Sequence, residues 1–581
     1  MSPRLCFVSL LSLAAASLAA PDAHPRFSLN KRQLPQDPTG VKKIETPNGV
    51  TIRYKEPGKD GVCETTPGVN SYSGYVDLSP ESHTFFYFFE ARHDPANAPI
   101  TLWLNGGPGS DSLIGLFEEL GPCAINENLT TDVNPYSWSE VSNLLFISQP
   151  LGVGFSYAET EEGSLNPVTG VVEDSSFDGV QGRYPKINAT LTDTTELAAH
   201  ATWEVVQGFL GGLPQLDSAI KSKDFSLWTE SYGGHYGPAF FNHFYEQNQK
   251  IINGTVDGIE LNFNSLGIIN GIIDEGIQAG HYPEFAVHNT YGIKAVNDTV
   301  YNYMKFANEM PNGCQDQVAL CKQTNRTSFA DYALCSEATN MCRDNVEGPY
   351  YNFGGRGVYD IRHPYDVRTH SFLLPSTQIV YANTWVKKDP TPPALFEPFL
   401  RQDWVMEALG VSVNYTSSNN EVYYAFQQTG DFVWPNFIED LEEILTYPVR
   451  VSLIYGDADY ICNWFGGQAV SLALKYPHSK QFQQAGYTSL LVDGVEYGET
   501  REYGNFSFSR VYEAGHEVPY YQPEASLQLF NRTLFGWDIA EGTVQIWPGY
   551  STNGSATATH SESFVPLPTA TPSASPSSGL F

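Results

Sequence analysis

Short apolar runs recur along the chain, many ending in Gly, Pro or Asp, and longer stretches of helical spacing separate them. The runs 85–90, 100–104, 143–148, 224–228, 266–269, 449–455 and 506–512 predict buried strands. Helical periodicity covers 113–120, 191–210, 235–249 and 523–534. Strand, loop and helix in alternation predict an α/β fold whose central, mostly parallel sheet is covered by helices on both faces. Between 277 and 447 this rhythm breaks into a stretch with four close cysteines, many Asn and Tyr, and proline turns. We read it as an insertion, or cap, over the top of the sheet, splitting the core into 33–276 and 448–548. From 549 to 581 the chain turns rich in Ser, Thr, Pro and Ala, which predicts a disordered tail open to O-glycosylation. That tail lacks the terminal apolar stretch of a lipid-anchor signal, and there is no internal repeat.

Composition narrows the function classes. The 581 residues hold 32 Lys and Arg against 65 Asp and Glu, a formal net charge of −33, and are 41% hydrophobic. That is ample material for a large core, and 13% aromatic residues argue against acid-rich disorder. No basic face is available for phosphates, so nucleic acid is excluded as a partner and an anionic membrane surface would repel the chain.

Arg4 precedes an apolar run over 5–20, with Ser17 and Ala19 at the −3 and −1 spacing of signal-peptidase cleavage. Residues 1–19 therefore read as a secretory signal, too short for a membrane span. The pair Lys31-Arg32 would end a propeptide over 20–32, and no other run is long enough for a span. The expected location is extracellular. Of eight cysteines Cys6 leaves with the signal, so six can pair and one is left over, for which Cys462 is the candidate. The 7, 14, 7 spacing of Cys314, Cys321, Cys335 and Cys342 suits two nested bridges, Cys314–Cys342 and Cys321–Cys335. Zinc would want shorter pairs, so no metal is expected. Nine N-x-[ST] sequons, at Asn128, Asn188, Asn253, Asn297, Asn325, Asn414, Asn505, Asn531 and Asn553, fit a glycosylated product.

The sharpest local feature is Thr229-Glu230-Ser231-Tyr232-Gly233-Gly234, between the strand FSLW and a helix starting near His235. A serine among small residues at a strand-to-helix turn is a nucleophile elbow, with the helix N-terminus behind it ready for an oxyanion. Thr229 stands where that motif usually begins with glycine. A nucleophilic serine needs a base, and the base an orienting carboxylate. Both follow in hydrolase order: VRVSLIYG runs into Asp457-Ala458-Asp459, and FSFSRVY into Glu513-Ala514-Gly515-His516. The loop Trp103-Leu104-Asn105-Gly106-Gly107-Pro108-Gly109-Ser110 offers close backbone approach, and no Gly-Lys-Ser/Thr follows that would make it a phosphate loop. One N–H from Gly107 and one from Tyr232 would complete an oxyanion hole.

Together these residues resemble the serine carboxypeptidases, the carboxypeptidase Y relatives. The motifs are WLNGGPG (103–109), LFEELGP (116–122), QPLGVGFSY (149–157), TESYGG (229–234), YGDADYICNW (455–464) and AGHEVP (514–519). They lie in family order over roughly 41–537, and GPGSDSLIGLFEELGPC is most similar to the secreted fungal carboxypeptidase S type. The resemblance implies an α/β-hydrolase fold and a cofactor-free exopeptidase that acts on peptide and protein C-termini. It implies Ser231 as nucleophile, His516 as general base and acid, Asp459 rather than Asp457 as orienting acid, and Gly107 and Tyr232 as oxyanion donors. It further implies that Asn105, Gly106 and Glu230 clamp the substrate's terminal carboxylate, with Trp103 alongside and Glu119 paired to Glu230. Two adjacent Glu cannot comfortably both ionise, so one keeps a proton into mildly acidic pH and can donate it to that carboxylate. Binding should then favour acid pH. Glu517, placed by the resemblance near the leaving residue, would attract a C-terminal Lys or Arg, and Cys462 would line the same region.

Some residues depart from the family pattern. Ser110 stands where many relatives have a bridging cysteine, which leaves Cys63 and Cys123 to pair by elimination. Ser148 replaces the Asp usual before Gln-Pro. Two other functions compete with the peptidase: an esterase or acyltransferase on the same scaffold, and an inactive hydrolase-fold binding protein. The carboxylate clamp argues against the first, and the intact serine, histidine and aspartate against the second.

Overall fold

The structure, a computed structural model, describes residues 34–166, 170–177, 179–186, 193–364, 394–434 and 436–563. The expected signal (1–19) and propeptide (20–32), the sequon at Asn188 and the tail beyond 563 lie outside the described residues.

The chain opens with β1 (Lys42–Glu45), β2 (Thr51–Lys55), β3 (Ser71–Ser79), β4 (Ser82–Phe89) and β5 (Ile100–Leu104). A hairpin of β6 (Cys123–Ile125) and β7 (Thr131–Val133) precedes β8 (Asn143–Ile147). A small separate sheet holds β9 (Glu159–Leu165), β10 (Val172–Glu173) and β11 (Val180–Lys186). Then come β12 (Asp224–Glu230), β13 (Asn262–Ile269), β14 (Arg450–Gly456), β15 (Thr488–Val492), β16 (Val495–Tyr503) and β17 (Phe506–Val511).

Twelve of these strands form one sheet, ordered β1-β2-β3-β4-β8-β5-β12-β13-β14-β17-β16-β15. From β8 to β17 every pairing is parallel, and the pairings on either side are antiparallel. All seven predicted strands are among the twelve. Their largely apolar character has a simple cause: alternate side chains enter two different cores. Phe86, Phe88, Leu102, Leu104, Leu227, Leu266 and Leu453 pack beneath the helices Thr195–Leu216 and Gly233–Ile252. Phe85, Tyr87, Phe89, Trp103, Trp228 and Ile454 pack on the opposite side with Trp138 and Phe530. There the Trp138 ring stacks on Phe530 at 4.1 Å, and Trp228 meets Trp138 edge-on at 5.0 Å.

Three features differ from the sequence reading. The helix expected at 113–120 is one π-helical turn, Gly115–Glu119. The Gly115 N–H donates to Asn105 Oδ1 (2.9 Å), and a Cβ at Gly115 would fall 2.1 Å from the Trp103 indole nitrogen. The tail is not structureless from 549: residues up to 563 lie along the sheet edge. Ser555 bridges Tyr487, Arg501 donates to the Ala556 carbonyl (2.6 Å), and Arg510 donates to the His560 carbonyl (2.9 Å). Both arginines are buried, and a low-complexity backbone supplies each with a carbonyl acceptor. Finally, Asn414 is only 8% exposed, unlike the open side chain a glycan acceptor calls for, and its Oδ1 accepts from the Arg183 N–H (2.8 Å). Asn128, Asn253, Asn297, Asn325 and Asn553 are exposed, and Asn505 and Asn531 half-buried.

Between β13 and β14 the described chain is helical and carries both nested disulfides, Cys314–Cys342 and Cys321–Cys335, while Cys63–Cys123 ties the first half together. Cys462 is free and buried. The last helix of this stretch, Asn436–Ile444, packs against Gly233–Ile252 and so belongs to the layer over the sheet.

Burial raises several carboxyl groups far above their ordinary range: Glu275 to about 8, and Asp111 and Asp440 to about 6. The folded state thus holds protons that the unfolded chain has released above about pH 4.5, and stability falls as pH rises through these values. The melting temperature should drop by about 5 °C or more from pH 5 to pH 8. A melting temperature equal or higher at pH 8 would contradict this.

Candidate active site

Four neighbouring parallel strands, β12, β13, β14 and β17, end at one edge and deliver the predicted residues there. Ser231 directly follows β12, Asp459 lies three residues past the end of β14, and His516 follows β17. Open parallel sheets place ligands outside their carboxyl ends for this reason: every connecting loop starts there.

The β12 strand passes into the helix Gly233–Ile252 with almost no loop, and Ser231 takes φ 64° to make the turn. Its N–H is held by the Ile269 carbonyl (3.0 Å), and its carbonyl accepts from Ile272 N (3.0 Å) and Gly234 N (2.9 Å). Thr229, in place of a glycine, donates its hydroxyl to the Gly233 carbonyl (2.8 Å) and so braces the turn. A Cβ at Gly234 would lie 2.2 Å from the Ile272 carbonyl oxygen, so only glycine allows the helix to start this close to the next strand.

The two carboxylates of Asp457-Ala458-Asp459 have different partners. Asp459, fully buried, accepts from His516 Nδ1 (2.7 Å), Asn270 Nδ2 (2.7 Å) and the N–H groups of Ile461 (3.1 Å) and Cys462 (3.3 Å). Asp457 instead accepts from Tyr291 and the Glu513 N–H and pairs with Arg510. Burial works against a charge on His516, but the Asp459 carboxylate prevails and raises its pKa well above the ordinary histidine value. Asn270, at φ 43° directly after β13, escaped the sequence reading; an Asn at a strand end was its only signal. Its Oδ1 accepts from the Gly456 N–H (3.0 Å), so it fixes Asp459 from the neighbouring strand.

The residues of the expected carboxylate clamp come together from three separate segments. Asn105 Oδ1 accepts from Trp103 Nε1 (2.8 Å) and the Gly115 N–H, which turns its amide nitrogen towards Glu119 Oε1 and Glu230 Oε1, each at 3.2 Å. Glu119 and Glu230 are 5% and 3% exposed, and the second oxygen of each has no protein partner among the described residues. Burial raises both pKa values, and for Glu230 the neighbouring Glu119 charge raises it further. Gly106 presses on the elbow: a Cβ there would sit 2.3 Å from the Tyr232 nitrogen. Among the described residues no group accepts from the N–H of Gly107 or Tyr232, so both are free to meet an oxyanion.

Glu517 follows His516 and is partly accessible, with one buried oxygen lacking a partner, and burial pushes it to about 7. Glu118, on the π-turn beside Glu119, was missed because a Glu next to another Glu reads as surface. Burial raises its pKa well above the ordinary value, and the Glu517 charge adds to the effect. The Cys462 thiol is buried and pushed to about 11 by that burial, which keeps it protonated and poor as a nucleophile. Donor atoms of Asp459, Cys462 and His516 lie within 4.8 Å of one another, the arrangement closest to a metal site among the described residues. Its carboxylate and imidazole already bond each other.

A serine at a helix N-terminus, an Asp–His pair on loops from the same edge of the sheet and two free N–H groups are the parts that acyl transfer needs. Comparison with known proteins agrees. Residues 57–536 match the family model for serine carboxypeptidase. The chain is 40% identical over 579 residues to carboxypeptidase S1 homolog A of Arthroderma otae, covering 92% of this chain and 84% of the relative. It is 36% identical to carboxypeptidase S1 of Penicillium janthinellum, covering 82% and 97%. Among solved structures, the prohormone-processing carboxypeptidase Kex1 from Saccharomyces cerevisiae matches with a TM-score of 0.62 at 21% identity, over 82% of this chain and 93% of that one. The chain therefore belongs to the serine carboxypeptidase family and is a serine-type carboxypeptidase with the α/β-hydrolase fold.

Proposed function

We propose that the enzyme removes C-terminal residues one at a time through an acyl-enzyme on Ser231, with a binding preference for acid pH. The observation that carries the exopeptidase reading is the Asn105-bridged pair of Glu119 and Glu230 beside the elbow. Ser231 Oγ attacks the last peptide carbonyl while His516 takes its proton, and Asp459 holds the imidazole and supports its charge. The oxygen that becomes negative is met by the N–H groups of Gly107 and Tyr232, each donor of this kind being worth about 10²–10³ in rate. His516 returns the proton to the departing amine, and water then cleaves the ester by the same steps reversed.

Two buried carboxyls can accept a third only while they hold a proton to share. Their raised pKa values keep that proton through mildly acidic pH. Above those values three negative charges face each other and binding weakens. Protonation of His516 limits the rate on the acid side, so the acid preference is one of affinity. Glu517, with Glu118 close by, makes the pocket for the leaving residue a cation acceptor once Glu517 ionises near pH 7. Export through the signal at 1–19 and maturation at Lys31-Arg32 suit a chain with three disulfides. We place the core in 33–276 and 448–548 and the cap in 277–447.

Ser231→Ala should abolish timed release of amino acids from peptides while leaving the melting temperature unchanged; retained release rules out this mechanism. For peptides with a free C-terminus KM should rise about tenfold or more from pH 5 to pH 8, and much less for the amidated peptide or an ester. Identical rises in KM for both substrate types would dismiss the clamp. The kcat/KM ratio for peptides ending in Arg over those ending in Leu should grow across the same range, and Glu517→Gln should flatten that growth. An unaltered ratio profile in the variant removes Glu517 from the pocket.

A further inference from the structure

The side chain of Tyr232 runs away from the catalytic centre into a buried polar knot. Tyr232 is fully buried, and its ring stacks on His235 at 4.4 Å and packs on Phe432 at 4.7 Å. Its hydroxyl donates to Asp431 Oδ2. Asp431 is itself fully buried and gathers three more donors: Thr195 Oγ1 (2.5 Å), Thr195 N (3.1 Å) and Arg326 Nη2 (2.9 Å). These partners come from different parts of the chain. Thr195 opens the helix Thr195–Leu216, so Asp431 also meets the positive end of that helix. Arg326 lies on the loop closed by Cys321–Cys335, at φ 47°, with its guanidinium 4.6 Å from the Trp434 ring. The same segment grips the elbow a second time, since His235 has Nδ1 2.6 Å from the Ile272 carbonyl and Nε2 3.2 Å from the Phe432 carbonyl.

We infer that Asp431 and Arg326 are positioning residues for the oxyanion hole, acting through the Tyr232 side chain on the aim of the Tyr232 N–H. This rests on the reading that the Tyr232 N–H meets the oxyanion. The physical argument is geometric. The peptide that carries the Tyr232 N–H is held at its carbonyl end, where the Ser231 oxygen accepts from Ile272 N (3.0 Å) and Gly234 N (2.9 Å). Its other end, at Tyr232, is held by the side chain, which a fully buried acceptor fixes at the far end. Removing that anchor leaves the nucleophile, the base and the clamp in place but loosens one of two donors. Oxyanion donors must meet the developing charge within a narrow range of distance. The insertion thereby acquires a catalytic duty: through Arg326 its disulfide-closed loop fixes the charge partner of the anchor.

The test uses the full-length enzyme with Tyr232→Phe, which deletes one hydroxyl and keeps the ring, Asp431→Asn, and the pair Arg326→Lys and Arg326→Met. The readouts are kcat and KM on a peptide and an ester, affinity for a peptide boronate that forms a tetrahedral adduct, and affinity for an unreactive C-terminal carboxylate ligand. Tyr232→Phe and Asp431→Asn should each lower kcat about tenfold on both substrates, leave KM within twofold, and weaken the boronate by the same factor as kcat. The unreactive ligand should bind as before, and Arg326→Lys should retain more kcat than Arg326→Met. The inference is overturned if Tyr232→Phe keeps kcat within twofold, or if kcat falls only together with affinity for the unreactive ligand. Should Asp431→Asn fail to fold, Tyr232→Phe alone decides. A normal Tyr232→Phe beside an inactive Ser231→Ala defeats this inference and spares the mechanism, whereas an active Ser231→Ala defeats the mechanism itself.

Discussion

The left-handed backbone at Ser231 is the constraint around which the rest is arranged. A non-glycine residue in that conformation costs about 1–3 kcal/mol and persists only where the surroundings over-determine it. Here the surroundings are explicit. The strand before it is pinned on both sides in a parallel sheet, its carbonyl is shared by two N–H groups, and glycines at 106, 233 and 234 let backbone approach where a methyl group would collide. The reward is a side chain lifted out of the sheet at a helix N-terminus, which no relaxed strand end would provide.

Charge is organised around that point in two opposite ways. Asp459 and Asp431 are buried acids given several donors each, one facing the base and one facing the back of the elbow. Glu119 and Glu230 are buried acids with too few donors, so burial pushes both towards the protonated form and the Glu119 charge pushes Glu230 further. The first pair of acids holds geometry, and each of the second pair keeps one oxygen without a partner among the described residues. The bulk net charge of −33 has no part in this; it acts on solubility and on which surfaces the protein avoids.

Much of the architecture was legible because its causes are local. Strands buried on both faces are apolar at most positions, and seven such runs could be read directly. Within the large sheet the strands that went unread, β1 to β3 and the β15–β16 hairpin, lie towards its two ends, where exposed positions such as Lys42, Glu45 and Glu496 break the run. The π geometry at Gly115–Glu119 could not be read either, because it turns on the Leu120 N–H bonding the Gly115 carbonyl rather than that of Leu116, a choice helical periodicity does not record. The tail beyond 549 misled for a related reason. Composition tells how much core a segment can build, not whether a buried arginine elsewhere needs its carbonyls.

The candidate site divides along the same line. By itself the sequence determined the elbow, the order of serine, aspartate and histidine, the glycine loop and the acidic residues around them, since each is a short motif with its own chemistry. Only the tertiary structure gave each acid its partners. It set Asp459 on the histidine and Asp457 on an arginine, brought Asn105 between two glutamates 111 residues apart in the chain, and added Asn270, Glu118 and Asp431. A carboxyl's pKa and duty depend on how deeply it is buried and which donors reach it. Those donors arrive from distant strands and from the insertion, so no local pattern records them.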